Sequence, residues 1–376
     1  MRILYFVDTL GLGGIQTILQ NYFERIDRDK FEIEVLSLDI PDETGFELWL
    51  NEKSIPVHKI PGITLKKIRD FSRYPALIKQ FFHEHGDFDI LHMHASSKNA
   101  QLMFNAAKQN IPIRIIHSHN THYHTSSQIQ KVIGDILKFP MKKYATDLWA
   151  CSTIAGEWLF GDDNFTIIPN AIDAGKFEYD EQLRNSVRES LNISDIDFVI
   201  GNIGRFVNQK NHFRMISVFN DLLKYIPNAK LVLAGTGDLE YKIKQQVIEL
   251  GIERNVNFLG YRTDNHALYQ AFDVYCMPSF YEGLPVALVE AQASGLPIVF
   301  SNTITEEINI SKKQNIQLSL EKDNKEWVEA LIEISNRQIN RKINGELIQK
   351  SIFNIENAIG LLENKYQELI VRESFR

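Results

Sequence analysis

Two glutamates stand eight residues apart in the segment FYEGLPVALVEAQASG, which is otherwise largely apolar. Pro285 lies between them, and because proline favours the first turn of a helix, a loop should end and a helix begin there. Glu282 then belongs to the loop and Glu290 to the second helical turn, while the amides of Gly283 and Leu284 form an anion site. Carboxylates beside phosphate sites often accept hydrogen bonds from ribose hydroxyls, which suits Glu290 and leaves Glu282 for a sugar. The alternative is that both glutamates only support the helix dipole.

Two cations follow an earlier apolar strand in the segment VIGNIGRFVNQKNH. Arg205 comes directly after the strand and Lys210 five residues later. An arginine fork and a lysine point charge just past a strand end suit a diphosphate. The alternative is that both are ordinary surface cations.

Three glycines separate the first predicted strand from the first helix in DTLGLGGIQ. Gly13 and Gly14 would let the backbone approach a ligand closely, and helix amides favour anionic or polar oxygens. Residue 16 is Gln16, so the dinucleotide spacing G-x-G-x-x-G is missing. The loop is either a ligand-binding turn or a plain tight turn.

Two pairs of histidines end neighbouring predicted strands, and alternation along a strand puts the members of each pair on one face. The pairs are His92 with His94 and His117 with His119, and His122 and His124 follow in a loop. Sugar or acceptor contacts, a structural role and a zinc site are the alternatives. Because no cysteine or close carboxylate joins the histidines, we expect no metal.

Short apolar segments alternate with helical ones along the chain, a pattern typical of βαβ units and a parallel sheet. The pattern restarts near residue 197, which predicts two doubly wound α/β domains at 1–170 and 171–356. A C-terminal helix at about 357–376 is expected to pack back on the first domain. Ligands of such sheets bind beyond the carboxyl ends of the strands, so the chemistry is expected there, in a cleft between the domains.

Composition excludes some classes of function. A net charge of −7 over 376 residues argues against nucleic-acid binding. Two distant cysteines and the lack of any apolar run of about 18 residues predict a cytoplasmic protein. Residues 64–82, TLKKIRDFSRYPALIKQFF, interleave cations with aromatics and, with Lys138, Lys142 and Lys143, could lie on an anionic membrane. The alternative is a helix with buried aromatics.

The segments GNIGRFVNQKNH, VLAGTGD, NVNFLGY and FYEGLPVALVEAQASGLPIV together resemble the retaining nucleotide-sugar glycosyltransferases of family 4. The resemblance covers nearly the whole chain and implies the GT-B fold of two Rossmann-like domains. It also implies hexosyl transfer from a nucleotide-sugar donor, UDP-linked by family frequency, to an acceptor hydroxyl without a metal. A lipid-linked saccharide in capsule or exopolysaccharide synthesis is the acceptor we expect. An epimerase of the same fold and a non-catalytic nucleotide-sugar binder are the alternatives.

The resemblance also assigns roles to single residues. Arg205 and Lys210 match the pair that neutralises the leaving diphosphate, Glu290 matches the ribose ligand, and Glu282 matches the acid near the donor sugar. The other matched residues are Gly283 and Leu284 as amide donors, Gly13 and Gly14 in the loop over the donor, His119 beside the reacting sugar, Leu259 and Gly260 near the base, and Asn170 near the phosphates. The segment SNTITEEINI departs from the family pattern, so Glu306 and Glu307 receive no role.

Overall fold

The computed structural model describes residues 1–11, 13–38, 44–61, 68–94, 97–123 and 127–375. Contacts between Cα atoms divide the chain into two compact units. The first comprises Met1–Asn170 together with Ala358–Arg376, and the second comprises Ala171–Asn357. Each unit is built around one parallel sheet.

The sheet of the first unit has seven parallel strands in the order β3-β2-β1-β4-β5-β6-β7. The strands are β1 Arg2–Val7, β2 Glu32–Leu38, β3 Val57–Ile60, β4 Ile90–His94, β5 Ile113–Ser118, β6 Asp147–Ala150 and β7 Thr166–Ile167. Central strands are buried on both faces, which explains why RILYFV is a continuous apolar run rather than an alternating one. The register sets Tyr5 beside His92.

Helices cover both faces of this sheet. They are α1 Gly14–Phe23, α2 Gly45–Glu52, α3 Ile68–His85, α4 Ala100–Lys108, α5 Gln128–Tyr144 and α6 Thr153–Phe160. One face forms a core in which Leu4, Phe6 and Met93 of the strands meet Ile78, Met103 and Met141 of the helices. The opposite face carries Tyr5, whose ring contacts those of His92 and His94.

The second unit repeats the plan with six parallel strands in the order β10-β9-β8-β11-β12-β13. The strands are β8 Phe198–Ile203, β9 Ala229–Ala234, β10 Val256–Phe258, β11 Val274–Met277, β12 Ile298–Ser301 and β13 Ile316–Leu318. The helices are α7 Glu181–Ser190, α8 His212–Leu222, α9 Glu240–Glu249, α10 Asn265–Ala271, α11 Val286–Ala293, α12 Asn324–Ser335 and α13 Arg341–Gln349. The predicted α/β class with two doubly wound parallel sheets is therefore confirmed.

The last helix, α14, spans Ile355–Ser374, and its residues from Ala358 onward belong to the first unit. Glu363 accepts a hydrogen bond from the amide of Asp27 at 2.8 Å. Arg372 forms a bidentate pair with Asp147 at 2.9 and 2.6 Å. None of the helices within the described ranges combines the length and the hydropathy that crossing a bilayer needs.

The stretch 64–82 contains three aromatic residues whose side chains are buried inside the first unit. Tyr74, Phe81 and Phe82 of α3 are 1%, 8% and 2% exposed and pack in the core of the first unit. Their burial matches the alternative of a helix with buried aromatics at these three positions. Residues 64–67 lie outside the described part of the chain.

Candidate active site

Four neighbouring strands of the second unit end at one edge of its sheet, as parallel strands must. They are β10, β9, β8 and β11. Leu259 and Gly260 follow β10, Gly235 follows β9, Arg205 lies two residues beyond β8, and the loop that contains Glu282 follows β11. The predicted donor-binding residues of this unit thus share one edge of the sheet.

Lys210 and Glu282 form a buried ion pair at this edge. The Lys210 Nζ atom lies 2.8 Å from Glu282 Oε1, and their side chains are only 17% and 8% exposed. Gln209 donates from Nε2 to Glu282 Oε2 at 3.1 Å and to the carbonyl of Tyr281 at 3.0 Å. The amide of Phe280 donates to the Gln209 carbonyl at 2.8 Å, so the loops after β8 and β11 are hydrogen-bonded to each other. Both carboxylate oxygens of Glu282 are therefore held in fixed directions.

Arg205 is exposed and makes no ion pair within the described ranges. Its backbone is nevertheless fixed, because Gly204 donates to the Ala234 carbonyl at 2.9 Å and Phe206 to the Thr236 carbonyl at 2.9 Å. The side chain is consequently anchored at its base and accessible at its guanidinium.

Gly235 is a positioning residue that the sequence reasoning did not single out. It has a φ of +140° and donates to the Gly260 carbonyl at 2.7 Å. A Cβ at this position would lie 2.0 Å from the Gly204 carbonyl oxygen, which leaves room for glycine alone. The motif VLAGTG was the available signal, since its first glycine follows a buried strand directly.

Glu290 lies on α11, which begins at Val286 with Pro285 as the extended N-cap. The predicted helix start at Pro285 is thus one residue early, because its ψ of 112° is not helical. Gly283 and Leu284, the predicted amide donors, are buried between the strand end and the helix.

Within the described ranges, one hydrogen-bond partner of the Glu290 carboxylate is found. The Tyr269 hydroxyl donates to Glu290 Oε2 at 2.8 Å, a contact that the sequence reasoning missed because Tyr269 belongs to another helix. The side chain keeps partial solvent access, yet the protein atoms crowded around its carboxylate raise the pKa of Glu290 to about 7. Glu290 therefore titrates near neutral pH.

In the first unit, the loop after β1 ends at Gly13, the N-cap of α1, whose φ of −165° is ordinary extended backbone. Gly14 opens the helix, and a Cβ there would meet nothing within 4 Å. Gln16 stands where a third glycine would complete a dinucleotide fingerprint. Its side chain is buried and donates to the Thr9 carbonyl at 2.9 Å, so it ties the loop to the strand end.

The histidines of β4 and β5 meet, as the predicted alternation requires. His92 Nε2 lies 3.1 Å from His117 Nδ1, and His117 Nε2 lies 3.3 Å from the Ile168 carbonyl. Because a carbonyl only accepts, we assign the His117 hydrogen to Nε2, so that His92 donates to His117. His92 Nδ1 then accepts from the Tyr366 hydroxyl at 2.6 Å, and Tyr366 accepts from Tyr5 at 2.7 Å. Burial keeps the pKa of both histidines well below its usual range, so this row of hydrogen-bonded side chains is uncharged.

His119 belongs to a second row of hydrogen-bonded side chains, between His94 and Asn170. Its Nδ1 lies 3.0 Å from Asn170 Oδ1 and its Nε2 lies 2.8 Å from His94 Nδ1. With Asn170 accepting, His94 must donate to His119 Nε2. Burial lowers the pKa of His119 to about 4, so the ring is neutral at physiological pH. Two predicted site residues, His119 and Asn170, are thus in direct contact.

Ring nitrogens of His92, His94 and His117 all lie within 4.8 Å of one another, a spacing that a metal ion could bridge. A metal bound there would have to displace the proton shared between His92 and His117. The hydrogen bonds account for every ring nitrogen of the four histidines except His94 Nε2, which has no partner among the described residues. We therefore assign none of them as a metal ligand.

Comparison with known proteins decides which family this arrangement represents. The model of Glycosyltransferase Family 4 matches residues 12–176, and that of Glycosyl transferases group 1 matches residues 184–350. The chain belongs to glycosyltransferase family 4. The predictions of this family and of a glycosyltransferase enzyme are confirmed.

Relatives of this family 4 glycosyltransferase match it along its whole length. EpsF of Bacillus subtilis is 28% identical over 375 residues, which cover 97% of this chain and 96% of EpsF. The UDP-Gal:alpha-D-GlcNAc-diphosphoundecaprenol alpha-1,3-galactosyltransferase of Escherichia coli is 23% identical over 379 residues, covering 96% and 95% of the two chains. The crystal structure of Anabaena HepE in complex with UDP-glucose has a TM-score of 0.81 and 19% identity, covering 98% and 100%. The predicted GT-B fold is confirmed.

Side-chain contacts join some of the predicted site residues within each unit of this glycosyltransferase. Lys210 and Glu282 are in contact in the second unit, and His119 and Asn170 are in contact in the first. Glu306 and Glu307 are exposed in a short 3-10 helix after β12. His124 lies outside the described residues.

Proposed function

We propose that this glycosyltransferase moves a hexosyl group from a UDP-sugar to an acceptor hydroxyl with retention of anomeric configuration. The observation that carries the proposal is the ion pair of Lys210 with Glu282 at the carboxyl edge of the second sheet. A diphosphate sugar needs a cation for its phosphates and an acceptor of hydrogen bonds for its sugar hydroxyls, and this pair offers both side by side. The second unit then binds the donor, and the first unit binds the acceptor.

Each polar group of the donor has a proposed ligand. Lys210 uses one of its three N–H donors on Glu282 and Arg205 is accessible, so both can contact the diphosphate. Glu282 accepts from sugar hydroxyls, and Glu290 accepts from the ribose. The remaining proposed contacts are Leu259 and Gly260 to the base, Gly283 and Leu284 to sugar or phosphate oxygens, and Gly13, Gly14 and Asn170 to the donor from the first unit.

In the proposed reaction the bond between the anomeric carbon and the diphosphate oxygen breaks, and its electron pair stays on the diphosphate. The acceptor oxygen bonds to the same face of the anomeric carbon, and its proton passes to the departing phosphate oxygen. Negative charge develops where Arg205 and Lys210 lie, so these cations lower the barrier without a metal. His119, neutral and held by His94 and Asn170, is proposed to contact the reacting sugar.

The donor nucleotide and the acceptor class draw support from relatives. HepE has been crystallised with UDP and with UDP-glucose. The Escherichia coli relative is named for a UDP-galactose donor and a diphosphoundecaprenol-linked acceptor. We therefore propose a lipid-linked saccharide as the acceptor, in the synthesis of a cell-surface polysaccharide.

A donor screen tests the proposal. UDP-, GDP- and ADP-linked hexoses are incubated with a polyprenyl-diphosphate saccharide, nucleotide release is measured, and NMR of the product gives the anomeric configuration. UDP release that depends on the acceptor, with retention, is expected. Inversion at C2 of the donor without any acceptor would instead establish the epimerase alternative. Release with an inverted product would refute the retaining mechanism.

Lys210→Ala should lower kcat/KM at least tenfold, because it removes the cation and leaves Glu282 buried without its charge partner. The matched control is Lys224→Ala, which removes a lysine that is 67% exposed and paired with Asp221 in the same unit. Equal activity of both variants would refute the site assignment.

A further inference from the structure

Helix α5 of the first unit carries a stripe of large apolar side chains on its solvent side. The members of this α5 stripe and their exposures are Ile129 74%, Val132 57%, Ile133 45%, Ile136 65% and Phe139 71%. Their spacing of three and four residues puts them on one face of the helix. The buried side of α5 is formed by Gly134 and Met141 instead. The helix therefore has an apolar face that its own core does not use.

The area of the α5 stripe is comparable to that of the largest apolar patch on a typical monomer. Its five side chains together expose roughly 600 Å² of apolar surface, which is at the upper end for the largest patch on a monomer. Scattered apolar residues need no explanation, but a continuous stripe of this area marks a binding surface.

The charges on α5 indicate what covers the stripe. The helix holds Lys131, Lys138, Lys142 and Lys143 against the single acid Asp135, a net charge of +3 obtained as four lysines minus one aspartate. The whole chain has a net charge of −7, so this helix is a local basic patch on an acidic protein. Lys143 is exposed, whereas Lys142 pairs with Asp163 and Lys138 contacts Asp135.

We infer that the α5 stripe is the surface by which this enzyme lies on an anionic lipid bilayer. An interfacial helix needs an apolar face flanked by lysines, and α5 has both. Lysines near an anionic leaflet strengthen such binding electrostatically.

This inference gives the proposed lipid-linked acceptor a structural counterpart, and it rests on that proposal only in part. It replaces Tyr74, Phe81 and Phe82 of α3, which are buried, by the apolar residues of the α5 stripe, which are exposed. Binding to lipid is measured with neither donor nor acceptor present, so failure of the transfer reaction and failure of membrane binding are distinguishable.

Flotation with vesicles tests the inference on the full chain. Vesicles of phosphatidylcholine alone are compared with vesicles in which a quarter of the lipid is phosphatidylglycerol. The chain should float with the anionic vesicles at low salt, and Ile129→Ser/Ile136→Ser/Phe139→Ser should reduce the bound fraction at least tenfold. Absence of flotation for the unaltered chain, or equal flotation of the triple variant, would overturn the inference.

A matched control removes equally exposed apolar residues from the second unit. Ile196→Ser/Tyr241→Ser/Ile343→Ser changes side chains of 79%, 72% and 59% exposure and should float like the unaltered chain. Nucleotide release with a detergent-solubilised acceptor should be the same for both triple variants, which also shows that they fold. Sedimentation without vesicles should give identical values for the unaltered chain and the α5 variant. A dimer that only the α5 variant loses would assign the stripe to a second copy and overturn the lipid assignment.

Discussion

Replacing Glu290 by glutamine should stabilise the protein at alkaline pH while weakening donor binding. Burial raises the pKa of Glu290 from its ordinary 4.5 to about 7 in the folded protein. A folded-state pKa above the unfolded one means that the fold disfavours the charged form. The loss of folding free energy caused by ionising Glu290 is absent below pH 4.5, grows between pH 4.5 and about 7, and is complete above pH 7. The Glu290→Gln variant carries no charge at this position and therefore does not lose this stability.

The magnitude follows from the two pKa values. At about 1.4 kcal/mol per pH unit, the difference between 4.5 and about 7 corresponds to at most about 3 kcal/mol. Because the side chain keeps partial solvent access, screening lowers this to between about 1 and 3 kcal/mol. The gain of Glu290→Gln over the unaltered chain should therefore increase from pH 5.5 to pH 8, by up to about 2 kcal/mol.

Urea unfolding at pH 5.5 and pH 8 measures this gain, with fluorescence and circular dichroism compared because the chain has two units. Glu249→Gln, an exposed glutamate of α9 in the same unit, is the matched control and should show no such trend. A gain for Glu290→Gln that does not change between the two pH values would refute the assigned burial cost.

Donor kinetics test the functional half of the same prediction. A carboxylate accepts hydrogen bonds from two ribose hydroxyls better than its protonated form does. The donor KM of the unaltered enzyme should therefore rise as pH falls through 7, whereas that of Glu290→Gln should be higher throughout and lose this dependence. A parallel pH profile in both proteins would remove Glu290 from the donor site.

Three further predictions concern the scaffold. Gly235→Ala should destabilise the second unit by about 1 to 3 kcal/mol in thermal unfolding, because its Cβ would lie 2.0 Å from the Gly204 oxygen. Gly360→Ala is the control and should not destabilise the protein, because a Cβ there would meet nothing within 4 Å. Tyr366→Phe should cost about 1 to 3 kcal/mol in urea unfolding because it leaves His92 Nδ1 and the Tyr5 hydroxyl unsatisfied, and exposed Tyr225→Phe is its control. His94→Ala should lower kcat more than it raises the donor KM, because it frees the ring of His119; an unchanged kcat would show that this orientation is not needed.

The sequence predicted the parts of the fold and site that local patterns determine. Short apolar runs that alternate with helical segments identified the strands. Parallel strands place their carboxyl ends at one edge, which brings the residues after β8 and β11 together. Lys210 and Glu282 were assigned to neighbouring roles on this ground. That they form an ion pair with each other depends on the loop contacts of Gln209, which no local pattern encodes.

Contacts between distant segments could not be predicted in the same way. Tyr269 reaches Glu290 from a helix 21 residues earlier, and Tyr366 reaches His92 across 274 residues. The stretch 64–82 left two alternatives open for a different reason. Cations alternating with aromatics produce the same sequence whether the aromatic face enters a membrane or the core of the protein, and only packing distinguishes the two. The α5 stripe has the same ambiguity, because the sequence of an amphipathic helix does not show whether its apolar face is buried or exposed.

Two pairs of contacting histidines join β4 to the neighbouring β5 segment, and they differ in position by two residues along the strands. The pairs are His92 with His117 and His94 with His119. His92 and His117 lie deeper in the sheet, and their chain runs to Tyr366 of α14, so it fixes the last helix to the first unit. His94 and His119 lie one step nearer the carboxyl edge, and their chain ends at Asn170. Each strand segment contributes one histidine to each pair through an H-x-H sequence, and burial lowers the pKa of all four histidines. Only His94 and His119 stand at the edge where ligands of a parallel sheet bind, which is why we propose the ligand contact for His119 and a structural role for His92.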